Sequence, residues 1–263
     1  MKPKFRTHKE MTEIYDERDK QGLSDEPYLL TYTSTAQSLT FFGSRHINDP
    51  DDKQFTEIES LWDQFLDSPG KKIALCEGGL RSIEGKTKDE AIRLDGDPGF
   101  ICWLANQAGI EVISPEPDRT LEVRELVTTF GAKRTVLYYF VRRIYQWART
   151  DFRRQPNVNH YIESFIETFP KNELESFEMT RENLFELFKE ETGNELSLIE
   201  RATLSSLKNP GRNEVATKSS EYRNETIFET IRRYKTDDYS VFAVYGSGHA
   251  IVLEPALKAL YSA

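Results

Sequence analysis

The chain has 263 residues, 38% of them hydrophobic, with 44 acidic against 35 basic side chains and a formal net charge of −9. That length allows a large buried core in one domain, and the acidity excludes broad nonspecific DNA binding while leaving room for a local basic face. No run approaches the roughly 18 apolar residues of a membrane span; the opening Met1-Lys2-Pro3-Lys4-Phe5-Arg6 has no apolar signal core, and the two cysteines, Cys76 and Cys102, lack disulfide-framework or metal spacing, so a reduced, cytoplasmic protein is expected.

In chain order, residues 1–27 are polar and without a sustained period, and predict a peripheral arm or a short helix. Short apolar runs at 29–33 and 38–43 predict strands. Residues 52–66 follow as a helix whose Phe55, Ile58, Leu61, Trp62 and Phe65 form one apolar stripe. A buried strand at 72–76, a helix at 100–108 and a strand at 111–114 complete an alternation that specifies a parallel sheet. From 120 to 218 the texture becomes helical, with amphipathic stretches at 120–130, 135–152, 161–169, 181–191 and 196–207, closed by a turn at 209–213. A helix at 221–234, a strand at 239–245 and a helix at 254–261 then restore the earlier pattern. The expected fold is α/β, with a mostly parallel central sheet whose core, 28–119 and 219–263, is interrupted by a helical insertion at 120–218.

One tetrapeptide pattern occurs twice, as Gly43-Ser44-Arg45-His46 and Gly246-Ser247-Gly248-His249, each directly after a predicted strand and together holding two of the four histidines. Each imidazole should stand beyond the carboxyl end of its strand, where open α/β sheets gather ligands and chemistry. Glu77, before Gly78-Gly79, and Glu116, between Pro115 and Pro117, take matching places after the other two core strands. Two imidazoles and one or two carboxylates at one sheet edge are suitable ligands for Zn, Mn or Co.

With Arg223-Asn224 on the helix before the last strand, these residues resemble the TraB/Tiki superfamily, which is similar to the erythromycin esterase-like and ChaN-like proteins. The matching segments cover about 36–119 and 221–261. The resemblance implies a fold of two related halves and a site where two Gly-x-x-His motifs, a pair of glutamates and an arginine converge. It also implies a metal-dependent hydrolase, with Mn or Co favoured and Zn possible. The acidic stretch after the first motif, Ile47-Asn48-Asp49-Pro50-Asp51-Asp52, departs from the family pattern.

The roles expected on that basis are a divalent ion held by His46, Glu77 and His249, activating water against a peptide, ester or similar carbonyl bond. Glu116 is either the general base or a fourth ligand. Arg223 would face a developing oxyanion or a substrate carboxylate, with Asn224 as a neutral hydrogen-bonding neighbour. Arg81, with Glu84 and Lys86, forms a candidate substrate rim. Asp95-Gly96-Asp97-Pro98-Gly99, before a predicted helix, could orient polar ligands over the sheet, although an ordinary turn and N-cap is the expectation, and His8 and His160 receive no role.

Residues 135–154 interleave arginines with aromatics. Arg142, with Tyr145, Arg149 and Arg153, could line a cleft for an anionic ligand, although pairing with the acidic helices through Glu163, Glu167, Glu173 and Glu175 is the expectation. A non-catalytic ligand-binding or sensing module on the same fold, and a nucleotide- or nucleic-acid-handling enzyme using this basic helix, are the alternatives to the hydrolase. The expected partner is a peptide or small molecule, not a membrane.

Overall fold

The structure is a computed structural model and describes residues 3–149, 157–175, 177–196, 207–208 and 213–262. It divides into two compact units, one formed by Met1–Glu116 with Arg223–Ala263 and the other by Pro117–Tyr222.

The first unit is an α/β fold. Its sheet contains β1 (Tyr28–Thr33), β2 (Ser38–Ser44), β3 (Lys71–Cys76), β4 (Val112–Ile113) and β5 (Tyr239–Gly246), in the order β1-β2-β5-β3-β4. All neighbours pair in parallel except the hairpin partners β1 and β2. The central strands β2, β5 and β3 are buried on both faces, and the side-chain period of two divides each between two cores, while edge strand β1 leaves Leu29 exposed. Phe41, Ile73, Val241, Ala243 and Tyr245 join one core, where Ile227 and Leu253 also lie. Phe42, Ala74, Cys76, Phe242 and Val244 join the other, against the predicted stripe of helix α2 (Lys53–Asp67) and the second half of α3 (Lys88–Ala108).

Several helices begin earlier than their periodicity suggests. α3 starts at a Thr87/Glu90 capping box and carries a break at Gly96 (φ 61°, ψ −145°), so only the part after Pro98 shows a clean period. The last helix, α9 (Ser247–Tyr261), starts directly after β5 and places His249 in its first turn, not in a strand-to-loop turn. The arm before β1 forms helix α1 (His8–Lys20), which buries none of its residues fully and is held by its own capping box, Thr7 with Glu10.

The second unit is helical, with α4 (Arg119–Phe130), α5 (Ala132–Arg149), α6 (Val158–Thr168) and α7 (Arg181–Thr192). They surround a core that includes Val136, Phe140, Phe165, Leu184 and Phe188. Helix α8 (Glu214–Thr236) begins in this unit, and its residues from Arg223 onward belong to the first. Most of the predicted helix 196–207 and of the turn at 209–213 lies outside the described residues.

Candidate functional site

β2, β5 and β3 end together. Ser44 is in register with Gly246, and Cys76 with Val244. The residues that follow these strands therefore meet at one edge of the sheet, and there the structure brings His46, Glu77, Glu116, Arg223, Asn224 and His249 together.

His46 leaves β2 in a left-handed backbone conformation (φ 56°), one of two such non-glycine residues among those described. Its Nδ1 lies 3.2 Å from Asp97 Oδ2, which also accepts a 2.7 Å hydrogen bond from Ser44. Its Nε2 is 3.4 Å from Glu77 Oε2. Burial disfavours the charged ring, but hydrogen bonding to Asp97 and Glu77 and their two charges outweigh it and raise the His46 pKa to about 10. Asp97 is only 1% exposed and sits just after the α3 break. Of the two readings of its segment, an ordinary turn and N-cap was the expectation and a polar role over the sheet the alternative; Asp97 is the buried partner of a site histidine.

His249 has the opposite surroundings. Its Nδ1 is 2.7 Å from the buried Asn224 amide oxygen, so Nδ1 carries the proton it donates and Nε2 keeps the lone pair in the neutral ring. That Nε2 is 3.6 Å from Glu77 Oε1, too long for a committed hydrogen bond. Tyr245, fully buried, stands edge-on to the imidazole at 5.8 Å.

Glu77 thus lies between two imidazoles, one at each oxygen. It also accepts from Gly246 N–H at 2.8 Å and from Arg223 Nη2 at 3.0 Å. Burial alone would push its carboxyl up, but His249, His46 and Arg223 hold it well below the usual carboxylate range. Arg223 also donates from Nε to Glu116 Oε2 at 3.0 Å, and Glu116 Oε1 accepts from Gly78 N–H at 2.9 Å. Against burial, Arg223 and that N–H keep Glu116 lowered as well. Arg223 is therefore a clamp on two carboxylates, and both oxygens of Glu116 are engaged.

The glycines of the two motifs serve each other. A Cβ on Gly246 would lie 2.5 Å from His46 Nε2, and one on Gly43 would meet Tyr28 O at 2.7 Å and Ser247 Cα at 2.9 Å. Each copy thus needs a bare backbone where the other, or its helix, lies against it. The acidic stretch after the first copy has a local use too. Asp52 accepts from Arg45 Nη2 on both oxygens, at 2.6 and 2.8 Å, while capping α2.

Helix α1 contributes a neighbour that no local sequence pattern signals. Tyr15 Oη is 2.7 Å from Ser247 Oγ, and Met11 lies beside Gly248. His8 Nδ1 is buried and without a hydrogen-bond partner, and its pKa is lowered by burial and by the nearby His249. The segment is anchored by Arg6, which donates to Ile251 O at 2.8 Å and pairs with Glu254, and by Phe5 against Phe228.

Arg81 folds back on its own loop, donating to Gly78 O at 2.8 Å and Gly79 O at 2.7 Å. Arg142 belongs to the second unit.

Histidines tethered at Nδ1 are arranged as metal-ligating histidines are, and His46, Glu77 and His249 are the donors a divalent ion would use. As placed they do not fit one. Among the described residues no three His, Cys, Asp or Glu side chains are gathered closely enough to hold an ion, and the Glu77 oxygens are taken by Arg223 and Gly246 N–H. Among the described residues, no helix is long and apolar enough to cross a membrane. Comparison with protein-family models, with curated proteins and with solved structures gives no match for this chain.

Proposed function

We propose that the chain is a hydrolase of an ester- or amide-type carbonyl bond in which two imidazoles around Glu77 divide the acid and base work. The observation that carries this reading is the unequal tethering of the rings, His46 to the Asp97 carboxylate and His249 to the Asn224 amide. Setting two like groups against different partners, a carboxylate and an amide, is how one site supplies both an acid and a base at one pH. His249 takes a proton from water through its free Nε2. His46, an imidazolium at neutral pH, donates toward the developing oxyanion or the leaving group. Its side chain is 47% exposed, so substrate reaches it. Glu77, held ionised, stabilises the second positive ring as it forms.

Water is the nucleophile in this reading because the motif serines are otherwise engaged. Ser44 donates to Asp97, and Ser247 is bonded to Tyr15. The hydrolase class agrees with the TraB/Tiki resemblance, while the chemistry runs on the chain's own residues without an ion.

The test is hydrolysis of p-nitrophenyl acetate and of a fluorogenic peptide set by protein dialysed against EDTA. Activity should survive dialysis, and His249→Ala should lower kcat/KM by about 10²- to 10⁴-fold, the usual contribution of general acid–base catalysis. Activity that appears only with added Mn, Co or Zn would replace this mechanism by the metal-dependent one.

A further inference from the structure

Helix α5 carries a run of basic side chains, and Lys133, Arg134, Arg142 and Arg143 fall into two groups. Lys133 pairs with Glu190 at 3.2 Å and Arg134 with Glu214 at 2.9 Å. On neighbouring helices Arg124 takes Glu173 at 2.8 Å and Lys218 takes Glu125 at 3.2 Å. Arg142 and Arg143, more than two turns further along α5, and Arg119 at the start of α4, form no ion pair with a carboxylate among the described residues. The expected pairing with the acidic helices after α5 is absent at Arg142 and Arg143, and Glu173 is used by α4 instead.

Two of the three guanidiniums are held by aromatic rings. Arg119 lies 4.5 Å from the centre of the Tyr139 ring and 5.6 Å from that of Phe169, and Arg143 lies 3.9 Å from that of Tyr161. Tyr139, Arg142 and Arg143 are at i, i+3 and i+4 on α5, so they share one face of the helix and bring the three charges together. Arg143 Nε is buried with no hydrogen-bond partner. Burial first, and then the charges of Arg142 and Arg143, hold Arg119 below the usual arginine range, although Tyr139 and Glu122 act the other way. The buried Glu122 is the acidic group of this neighbourhood, and it accepts a 2.6 Å hydrogen bond from Ser219.

In a chain with nine more acidic than basic side chains, three crowded arginines without carboxylate partners are an arrangement that repels itself until an anion arrives. We propose that Arg119, Arg142 and Arg143 form a binding site for an oligophosphate anion, inorganic or carried on a nucleoside. Guanidinium forks match phosphate oxygens in pairs, and stacking on a ring orients the fork without using its N–H donors. Single-stranded nucleic acid fits less well, because bases need free aromatic faces to stack on and the guanidiniums already cover faces of Tyr139 and Tyr161.

Calorimetric titration of the whole chain with inorganic tripolyphosphate, at fixed ionic strength and against a sulfate control, tests the site. One saturable site is expected, and Arg119→Ala and Arg142→Ala should each weaken it by about tenfold or more, the effect of losing a charge-assisted hydrogen bond. Arg134→Ala, whose charge is already paired, and His249→Ala should leave the affinity unchanged, and the latter separates this site from the hydrolase reading. ATP binding more tightly than tripolyphosphate, with the same sensitivity to Arg119 and Arg142, would identify the nucleoside form. The proposal is overturned by absence of tripolyphosphate binding at millimolar concentration or by affinity unchanged in both variants. Binding of a single-stranded oligoribonucleotide that tripolyphosphate does not displace would overturn it as well.

Discussion

The two Gly-Ser-x-His segments share a residue pattern and a sheet edge, yet they are built differently. The first leaves β2 as a loop, with His46 at positive φ and its Nδ1 against a carboxylate. The second turns directly into α9, with His249 in ordinary helical backbone and its Nδ1 against an amide. What they share is Glu77, approached by one Nε2 at each oxygen. A repeated motif can thus set two identical side chains in different surroundings through the partner behind each ring, and that partner lies far away in sequence.

The largest effect should come from breaking what both copies lean on. Arg223 holds Glu77 and Glu116, and its side chain is 13% exposed against 17% and 31% for theirs. Arg223→Met leaves two largely buried carboxylates without their cation, and removing one partner of a buried pair destabilises by about 3–5 kcal/mol. Urea denaturation at neutral pH checks this. The sign with pH follows from the lowered carboxyl pKa values. Their stabilising contribution is full above the ordinary value of 4.5 and is lost as the pH falls through the lower folded values. The gap between the parent and Arg223→Met should therefore narrow in acid, and a gap that widens there would contradict the clamp.

The edge of the sheet was legible from the sequence because it depends on local signals. Apolar runs ending in Gly-Ser mark β2 and β5, and Glu77 and Glu116 follow the runs at β3 and β4 directly. Asp97 was only partly legible, because its helix breaks at Gly96 and the Asp-Pro-Gly there has the composition of a turn, which outweighed a polar role over the sheet. Its pairing with His46 spans 51 residues, a distance over which periodicity carries no information. The docking of α1 was hidden for the same reason. Its contacts are single polar atoms such as Tyr15 Oη on Ser247, and they leave no apolar stripe to read.

Exchanging the partners sharpens the comparison further. Asp97→Asn keeps the shape but removes a charge that raises His46, so kcat/KM should fall at neutral pH. In the parent, His46 is raised from 6.5 to about 10, so its contribution to stability and its supply of an acid are complete below 6.5 and are lost as the pH rises through about 10. A pH profile of kcat/KM should lose its alkaline limb near that value in Asp97→Asn, with the fall moved toward neutrality. Asn224→Asp should act in reverse, placing behind His249 Nδ1 the kind of carboxylate that stands behind His46, and should lower kcat/KM at neutral pH. Identical profiles for the parent and both variants would mean that the tethers do not divide the rings.

The smallest expected effect separates packing from chemistry at the two glycines. An alanine methyl at Gly43 meets Tyr28 O at 2.7 Å and Ser247 Cα at 2.9 Å, both backbone atoms that move only if β1 and α9 move. Such overpacking costs about 1–3 kcal/mol. At Gly246 the methyl meets His46 Nε2 at 2.5 Å, the free end of a half-exposed side chain that can swing away from Glu77. Gly246→Ala should therefore lose less stability than Gly43→Ala while losing more activity, because the ring that yields is the one that works. Thermal melts beside kcat/KM for the two variants measure both quantities. If Gly43→Ala proves the less stable but Gly246→Ala remains fully active, His46 does its work from a position other than the one it holds beside Glu77.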